Sequence, residues 1–233
     1  MPTASYQARR GELHEYFDRT ALRAWERLTS DAPVSGIRAT VRAGRDAMRA
    51  TLLSWLPADM TGLRLLDAGC GTGALAVEAA KRGAQVVAVD IAPGLVALAK
   101  ERAGAEHGVG RVEFLVGDMF DPALGRFDHV VAMDSLIHYR PEDTVRVLAG
   151  LAARTDATMA FTFAPRTALL SAMHAAGRFF PRGDRAPAIV PVADALLRRL
   201  VGREPDLSGF AVGRDRRIAS GFYTSHAMEL ARR

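Results

Sequence analysis

Apolar residues recur at helical spacing twice early in the chain. Leu13, Phe17, Ala21, Trp25 and Leu28 follow one another at steps of four, four, four and three. That spacing predicts one apolar stripe on an amphipathic helix over residues 9–28. Ile37, Val41, Met48, Leu52 and Trp55 repeat the pattern over residues 37–56, and Pro57 ends this second helix because it lacks an amide proton and crowds the preceding turn. From Leu63 the period changes. Short apolar runs at 63–67, 85–90, 111–116, 127–133 and 157–163 alternate with helical stretches near 74–82, 93–105 and 141–153. Strands alternating with helices predict βαβ units and a parallel sheet. Val86-Val87-Ala88-Val89 is the continuous apolar run expected of a strand buried on both faces.

After Phe163 the alternation stops. Pro165, Pro181, Pro187 and Pro191 punctuate a stretch rich in arginine that also carries Phe179-Phe180. A short helix is expected at 192–201, followed by two strands over 209–217 and 218–229, the second centred on 220–228. The pattern divides the chain into an N-terminal helical arm (1–58), a βαβ core (59–164), an insertion placed as a lid (165–205) and closing strands (206–233).

A chain of 233 residues suffices for one α/β domain with a modest appendage. No apolar run approaches the ~18–20 residues that span a bilayer. Arg9 and Arg10 are not followed by the apolar core of a signal peptide. Cys70 is the single cysteine, which excludes an internal disulfide and a cysteine-based metal cluster. These points together predict a soluble cytoplasmic protein. The net charge is +5, and since Lys81 and Lys100 are the only lysines among 31 basic residues, 29 are arginine. Coding bias alone would produce this. So would an anionic partner, because the planar guanidinium matches carboxylates and phosphates with two parallel hydrogen bonds. Composition does not choose between them.

The chemistry concentrates at strand ends. Asp67-Ala68-Gly69-Cys70-Gly71-Thr72-Gly73 runs from the first strand into a helix. Glycines allow a tight turn and close approach of a ligand to the backbone, and the helix start offers unpaired amides to a carboxylate. The dinucleotide spacing Gly-x-Gly-x-x-Gly is absent, because Gly71 and Gly73 are followed by Ala76. Asp90 ends the next strand, 23 residues after Asp67, where a doubly wound fold places an acid on ribose hydroxyls. Asp118, between Gly117 and Met119, ends the third, where a carboxylate can receive an adenine amino group. Each acid could instead simply cap a helix, but three in order at successive strand ends favour a ligand site. With the neighbouring Ile91, Met119 and Met133 they form the expected cofactor-binding set.

At these residues the chain resembles the S-adenosylmethionine (SAM) dependent methyltransferases of class I. Its flanks resemble one family within them, the magnesium-protoporphyrin IX O-methyltransferases of chlorophyll and bacteriochlorophyll biosynthesis. The resemblance is carried by Tyr16-Phe17-Asp18-Arg19-Thr20 with Trp25, by Gly44-Arg45, by Thr51-Leu52-Leu53-Ser54-Trp55-Leu56, by Asp134-Ser135-Leu136-Ile137-His138-Tyr139, by Phe163-Ala164-Pro165, by Phe179-Phe180-Pro181 and by Gly221-Phe222-Tyr223. It implies a Rossmann-like, doubly wound, seven-stranded sheet, mostly parallel with an antiparallel C-terminal strand, plus N-terminal helices and a lid insertion. It also implies SAM as cofactor, S-adenosylhomocysteine (SAH) as product, and no protein-bound metal, the magnesium belonging to the substrate. The expected partners are magnesium-protoporphyrin IX and the porphyrin-binding subunit of magnesium chelatase, with peripheral contact to the photosynthetic membrane and no nucleic acid.

The implied reaction moves a methyl group to a propionate, which is ionised at pH 7 because its reference pKa is about 4.3. Such a nucleophile needs positioning and removal from water rather than deprotonation. His138, just past the fourth strand, is the first catalytic candidate. It can orient the carboxylate, take a proton from a neutral acid, ligate the substrate's magnesium or be an ordinary core histidine. Tyr16 is catalytic by resemblance and core by pattern. Asp134 either holds the sulfonium end or caps its turn. Tyr139, Arg166, Phe179, Phe180, Arg182 and Arg185 complete the expected substrate set, aromatic surface for the macrocycle and guanidinium forks for its carboxylates. Three competing functions stand beside this one: methylation of another small acid or phenol, nucleic-acid binding, and a non-catalytic SAM-binding regulator. The Asn/Asp-Pro-Pro-Tyr/Phe motif of amino-methylating nucleic-acid enzymes is not found, as the position reads Met133-Asp134-Ser135-Leu136.

Overall fold

The computed structural model describes residues 3–20, 29, 36–104, 110–166 and 188–233. Seven strands, β1 (Arg64–Ala68), β2 (Gln85–Asp90), β3 (Arg111–Val116), β4 (Phe127–Ala132), β5 (Thr155–Phe163), β6 (Phe210–Ser220) and β7 (Tyr223–Arg232), form one sheet in the order β3-β2-β1-β4-β5-β7-β6. β1 to β5 pair in parallel, and β7 enters antiparallel between β5 and β6. The chain steps outward from β1 to β3, then returns to the other side of β1 as β4. The carboxyl ends of β1 and β4 therefore part at a topological switch point, where ligands of open α/β sheets bind.

Successive side chains of a strand point to opposite faces, and both faces of this sheet are covered. Leu66, Ala68, Val87, Val89, Val130 and Ala132 pack into one apolar layer with Leu148 and Leu151 of the helix Pro141–Ala152. Leu65, Val86, Ala88 and Val131 pack into the other, with Leu75 and Ala79 of Ala74–Lys81 and with Met48 and Leu52 of Gly36–Trp55. Leu65 and Leu66 are both fully buried, so truncating either to alanine should cost roughly 2–5 kcal/mol. Burial on two sides explains why the strands read as unbroken apolar runs.

The first helix differs from expectation. It spans Ala4–Glu15, with Thr3 as its N-cap accepting from the Tyr6 amide, and continues as a π-helical turn over Tyr16–Thr20. The step of four from Leu13 to Phe17 exceeds the 3.6 residues of an α-turn, and Phe17 falls in the wider π-turn. Ala21, Trp25 and Leu28 lie outside the described residues. The second predicted helix is Gly36–Trp55, but Ile37 is exposed rather than on its buried stripe. The closing strands turn at Gly221-Phe222, later than expected, with Gly221 at φ 55°. No described helix is long and apolar enough to cross a membrane.

Candidate active site

The loop between β1 and the helix Ala74–Lys81 takes its shape from three glycines, Gly69, Gly71 and Gly73, at φ 83°, 54° and 79°. The amides of Gly69 and Cys70 both donate to the Val89 carbonyl, at 2.8 and 3.0 Å, which ties the loop to β2. A β-carbon on Gly69 would lie 2.3 Å from Ser135 Cβ, and one on Gly73 would lie 2.7 Å from the Phe114 ring. Nothing lies within 4 Å of that position at Gly71, which opens onto a cavity of about 360 Å³. This volume is within the range of small-molecule sites, ~300–1,000 Å³.

The acids at the strand ends behave differently from one another. Asp67 is buried, and its Oδ2 has no hydrogen-bond partner among the described residues. Burial, with the nearby Asp90 charge, pushes its pKa up to about 7. Asp90 accepts from the Gly71 amide through Oδ2 and from the Ala92 amide through Oδ1, both at 2.9 Å; burial raises its pKa as well, against those amides. Both acids line the cavity. Each oxygen of Asp90 keeps a lone pair for a hydroxyl, and an orphaned buried carboxylate oxygen suits a cationic ligand. SAM fits this set at two points, a cation beside Asp67 and ribose hydroxyls at Asp90, whereas the amides of Gly69, Cys70, Gly71 and Gly73, expected to meet a carboxylate, already donate within the protein. Burial, with the charges of Asp67 and Asp90, pushes the Cys70 thiol well up.

Asp118 is engaged by the N-terminal helix. Its Oδ1 accepts from the Tyr6 hydroxyl and the Phe120 amide, each at 2.9 Å, and its Oδ2 lies 3.2 Å from Arg10 Nε. Tyr6 also stacks on Tyr139, with ring centroids 4.8 Å apart. Burial and its acidic neighbour raise the Tyr6 pKa, so its hydroxyl stays a donor. Ser5 donates to Asp143 at 2.8 Å, and Asp18 accepts from the Gly94 amide at 3.1 Å. The N-terminal helix and its π-turn are thereby moored across the carboxyl ends of the strands. Tyr6, Leu13 and Phe17 all line the cavity.

Beyond β4 the wall is made by side chains. Asp134 takes φ 52°, the left-handed region that an aspartate tolerates better than most residues. Its carboxylate accepts from Arg45 Nη1 at 2.8 Å, from the Tyr223 hydroxyl at 3.1 Å, and from Ser225 and Thr162 hydroxyls at 3.2 Å. Its amide donates to Thr162 Oγ1 at 2.7 Å. Ser135 donates to the Ala68 carbonyl at 2.8 Å, joining this loop to the glycine loop. His138 closes the 3₁₀ turn Leu136–His138, is buried, and meets the Phe17 ring edge-on at 5.9 Å.

One cavity wall thus gathers Asp67, Gly69, Cys70, Gly71, Asp90, Ile91, Met119, Met133, Asp134, His138 and Tyr139. Gly73 caps the following helix from just behind it. Asp118 is not among the lining residues, although Gly117 and Met119 are. Tyr16 does not line the cavity either; it packs against Phe17 with centroids 5.2 Å apart. Arg166 is exposed, its amide donating to the Val192 carbonyl at 2.9 Å. Phe179, Phe180, Arg182 and Arg185 lie outside the described residues. Sequence reasoning missed Tyr6, Arg42, Arg45 and Arg49, which the structure adds to the lining. Thr3 as an N-cap and the i, i+3, i+7 arginine spacing were the available signals. Among the described residues no group of His, Cys, Asp and Glu is spaced to hold a metal ion.

A switch-point cavity with a glycine loop, an acid at the end of β2 and a β7 inserted antiparallel beside β5 defines a class I SAM-dependent methyltransferase. The family described as methyltransferase domain matches residues 65–156, and the one described as magnesium-protoporphyrin IX methyltransferase C-terminus matches residues 132–232. The magnesium-protoporphyrin O-methyltransferase of Rhodobacter capsulatus is 52% identical over 98% of this chain and 99% of its own length. The crystal structure of magnesium protoporphyrin IX methyltransferase from Synechocystis PCC 6803 with bound SAH superposes with a TM-score of 0.84 at 28% identity, covering 97% of this chain and all of that one. The same enzyme with bound SAM gives a TM-score of 0.80. The chain belongs to the magnesium-protoporphyrin O-methyltransferase family.

Proposed function

We propose that this protein transfers the methyl group of SAM to a propionate carboxylate of magnesium-protoporphyrin IX, giving the monomethyl ester and SAH. The observation that carries the reading is a single cavity wall running from the orphaned Asp67 carboxylate and the Gly69–Gly71 loop to His138. SAM supplies, when bound, a methyl group on a cationic sulfur. Asp67 and Asp90 hold that cation and its ribose, and Gly71 leaves the space for it. The propionate arrives ionised, so no residue need take its proton. His138 donates a hydrogen bond that aims one carboxylate oxygen, and its burial beside Phe17 keeps water away, which favours a step that consumes two opposite charges. Asp134 acts through Arg45 and Tyr223 rather than on the ligand.

Choice of the 13-propionate rests on kinship. So does delivery of this poorly soluble macrocycle by the porphyrin-binding subunit of magnesium chelatase. Incubation with SAM and magnesium-protoporphyrin IX, followed by mass spectrometry, should yield the monomethyl ester. A protein that binds SAM but forms no ester overturns the reading.

A further inference from the structure

We infer that Arg42, Arg45 and Arg49 form a clamp for the propionate that is not methylated. The inference rests on the functional reading above and adds a second recognition site to it. The three arginines stand at i, i+3 and i+7 of the helix Gly36–Trp55, on one face, and all three line the cavity. Arg45 and Arg49 have ion-pair partners on the cavity lining. Arg45 is fixed by Asp134 at 2.8 Å and Arg49 by Asp46 at 2.9 Å. The helix itself sits tight on the hairpin: a β-carbon on Gly44 would fall 2.4 Å from the Tyr223 ring. Only glycine at this position lets the helix approach β7 so closely.

Net charge differs along the carboxyl edge of the sheet: Asp67 and Asp90 line the cavity on one side, and three arginines outnumber Asp46 and Asp134 on the other. Asp90 and Asp67 stand at the ends of β2 and β1, whereas the arginine row is tied through Asp134 and Tyr223 to β4 and β7. A cationic cofactor and a dianionic acceptor call for this division. The two carboxylates of the acceptor make unequal demands. The reacting one must keep a lone pair aimed at the methyl carbon, and a guanidinium fork on both of its oxygens would draw that density away. The other stays ionised throughout, and burying it unpaired in a water-excluding site would be costly. The propionates of protoporphyrin IX stand on neighbouring pyrroles, so the second carboxylate lies beside the first, where a row of guanidinium groups can pair it bidentately. The monoester product keeps the clamped carboxylate, so the clamp holds diacid and monoester alike and does not hold the diester.

The test is fluorescence-quenching titration of three ligands, magnesium-protoporphyrin IX, its monomethyl ester and its dimethyl ester, against wild type and the variants R42Q/R49Q and R42K/R49K. Arg45 is left in place because its loss would strand the buried Asp134 charge. In R42Q/R49Q the dissociation constants for the diacid and the monoester should rise by about tenfold or more, the scale of lost charge-assisted hydrogen bonds. Those for the dimethyl ester and for SAH should stay as in wild type, and R42K/R49K should recover part of the loss. An equal shift for all three porphyrins, or none for the acids, overturns the clamp. Wild type that binds SAH but neither binds nor methylates magnesium-protoporphyrin IX overturns the functional reading and the clamp with it. Wild type that methylates it, beside a variant that discriminates the esters unchanged, overturns the clamp alone.

Discussion

The two sides of the cavity are built from different materials. Over β1 and β2 the wall is mostly backbone. Glycines set its course, and the amides of Gly71 and Ala92 hold the Asp90 carboxylate. Over β4 and β7 it is a mesh of side chains, with Arg45, Tyr223, Ser225 and Thr162 all converging on Asp134. The first side falls within the segment matched by the general methyltransferase domain, and most of the second within the segment particular to the magnesium-protoporphyrin enzymes. A backbone-built site serves a ligand common to many enzymes, because its geometry depends on few side chains. A side-chain mesh can be rewritten residue by residue to suit one acceptor.

His138→Ala should break the second side alone. Turnover should fall by about 100-fold, the scale of a reacting group left out of position, with the SAM dissociation constant unchanged by calorimetry. Collapse of SAM affinity with turnover preserved would move His138 to the cofactor side. Asp134→Ala should remove about 3 kcal/mol of stability, the scale for breaking a buried ion pair, seen as a lowered denaturant midpoint. Asp134→Asn should lose less, since asparagine also tolerates the left-handed backbone. Equal losses would show that the charge on Arg45 carries the whole effect.

Asp90→Ala acts on the first side. SAM affinity should drop by about 10- to 100-fold, while porphyrin binding measured without SAM is kept. An unchanged calorimetric constant would remove Asp90 from the ribose site. Asp67 sharpens the comparison through pH. Its folded pKa, about 7, is raised above the unfolded value of about 3.9, so its contribution to the stability of the ligand-free protein declines as pH rises from about 4 to about 7. A cationic ligand favours the ionised form and binds with release of a proton. SAM affinity should therefore increase with pH up to about 7 and then level off, by at most tenfold per unit. Asp67→Asn should flatten that profile, and a profile that survives the substitution assigns the titration elsewhere. The smallest effect belongs to Tyr6→Phe. It removes one hydrogen bond to Asp118, about 1 kcal/mol, which hydrogen exchange along the helix Ala4–Glu15 should register as faster opening.

The same contrast decides what could be read from the sequence. The glycine loop, Asp90 and the five parallel strands were legible because each is local: a short unbroken apolar run, or a motif inside nine residues. β2 and β3 fall on the expected residues, and most other boundaries shift by one or two. The Asp134 mesh draws on positions 45, 134, 162, 223 and 225, which only the fold brings together, so Asp134 stood between sulfonium contact and turn cap. Asp118 carried the right residue type at a strand end. Its engagement by Tyr6 and Arg10 depends on a helix that starts at the Thr3 N-cap, ahead of the apolar stripe that marks it in the sequence. Arg182 and Arg185 of the arginine-rich insertion, expected to meet the carboxylates, lie outside the described residues. Arg42, Arg45 and Arg49, which line the cavity, stand beside an apolar stripe that reads as ordinary core packing.

At Gly69 the two sides touch. No β-carbon fits between this residue and Ser135, and Ser135 in turn bonds the Ala68 carbonyl. Neither loop can shift without displacing the other, and Ser135 stands three residues from His138. Where a ligand moves either loop, this junction carries the shift to the other site and couples the two affinities. Whatever factor bound SAH applies to the porphyrin constant, bound porphyrin must apply to the SAH constant, since both routes reach the same ternary complex. A Gly69→Ala exchange, strained at φ 83° and crowded by Ser135, would then be read in two ligand constants at once.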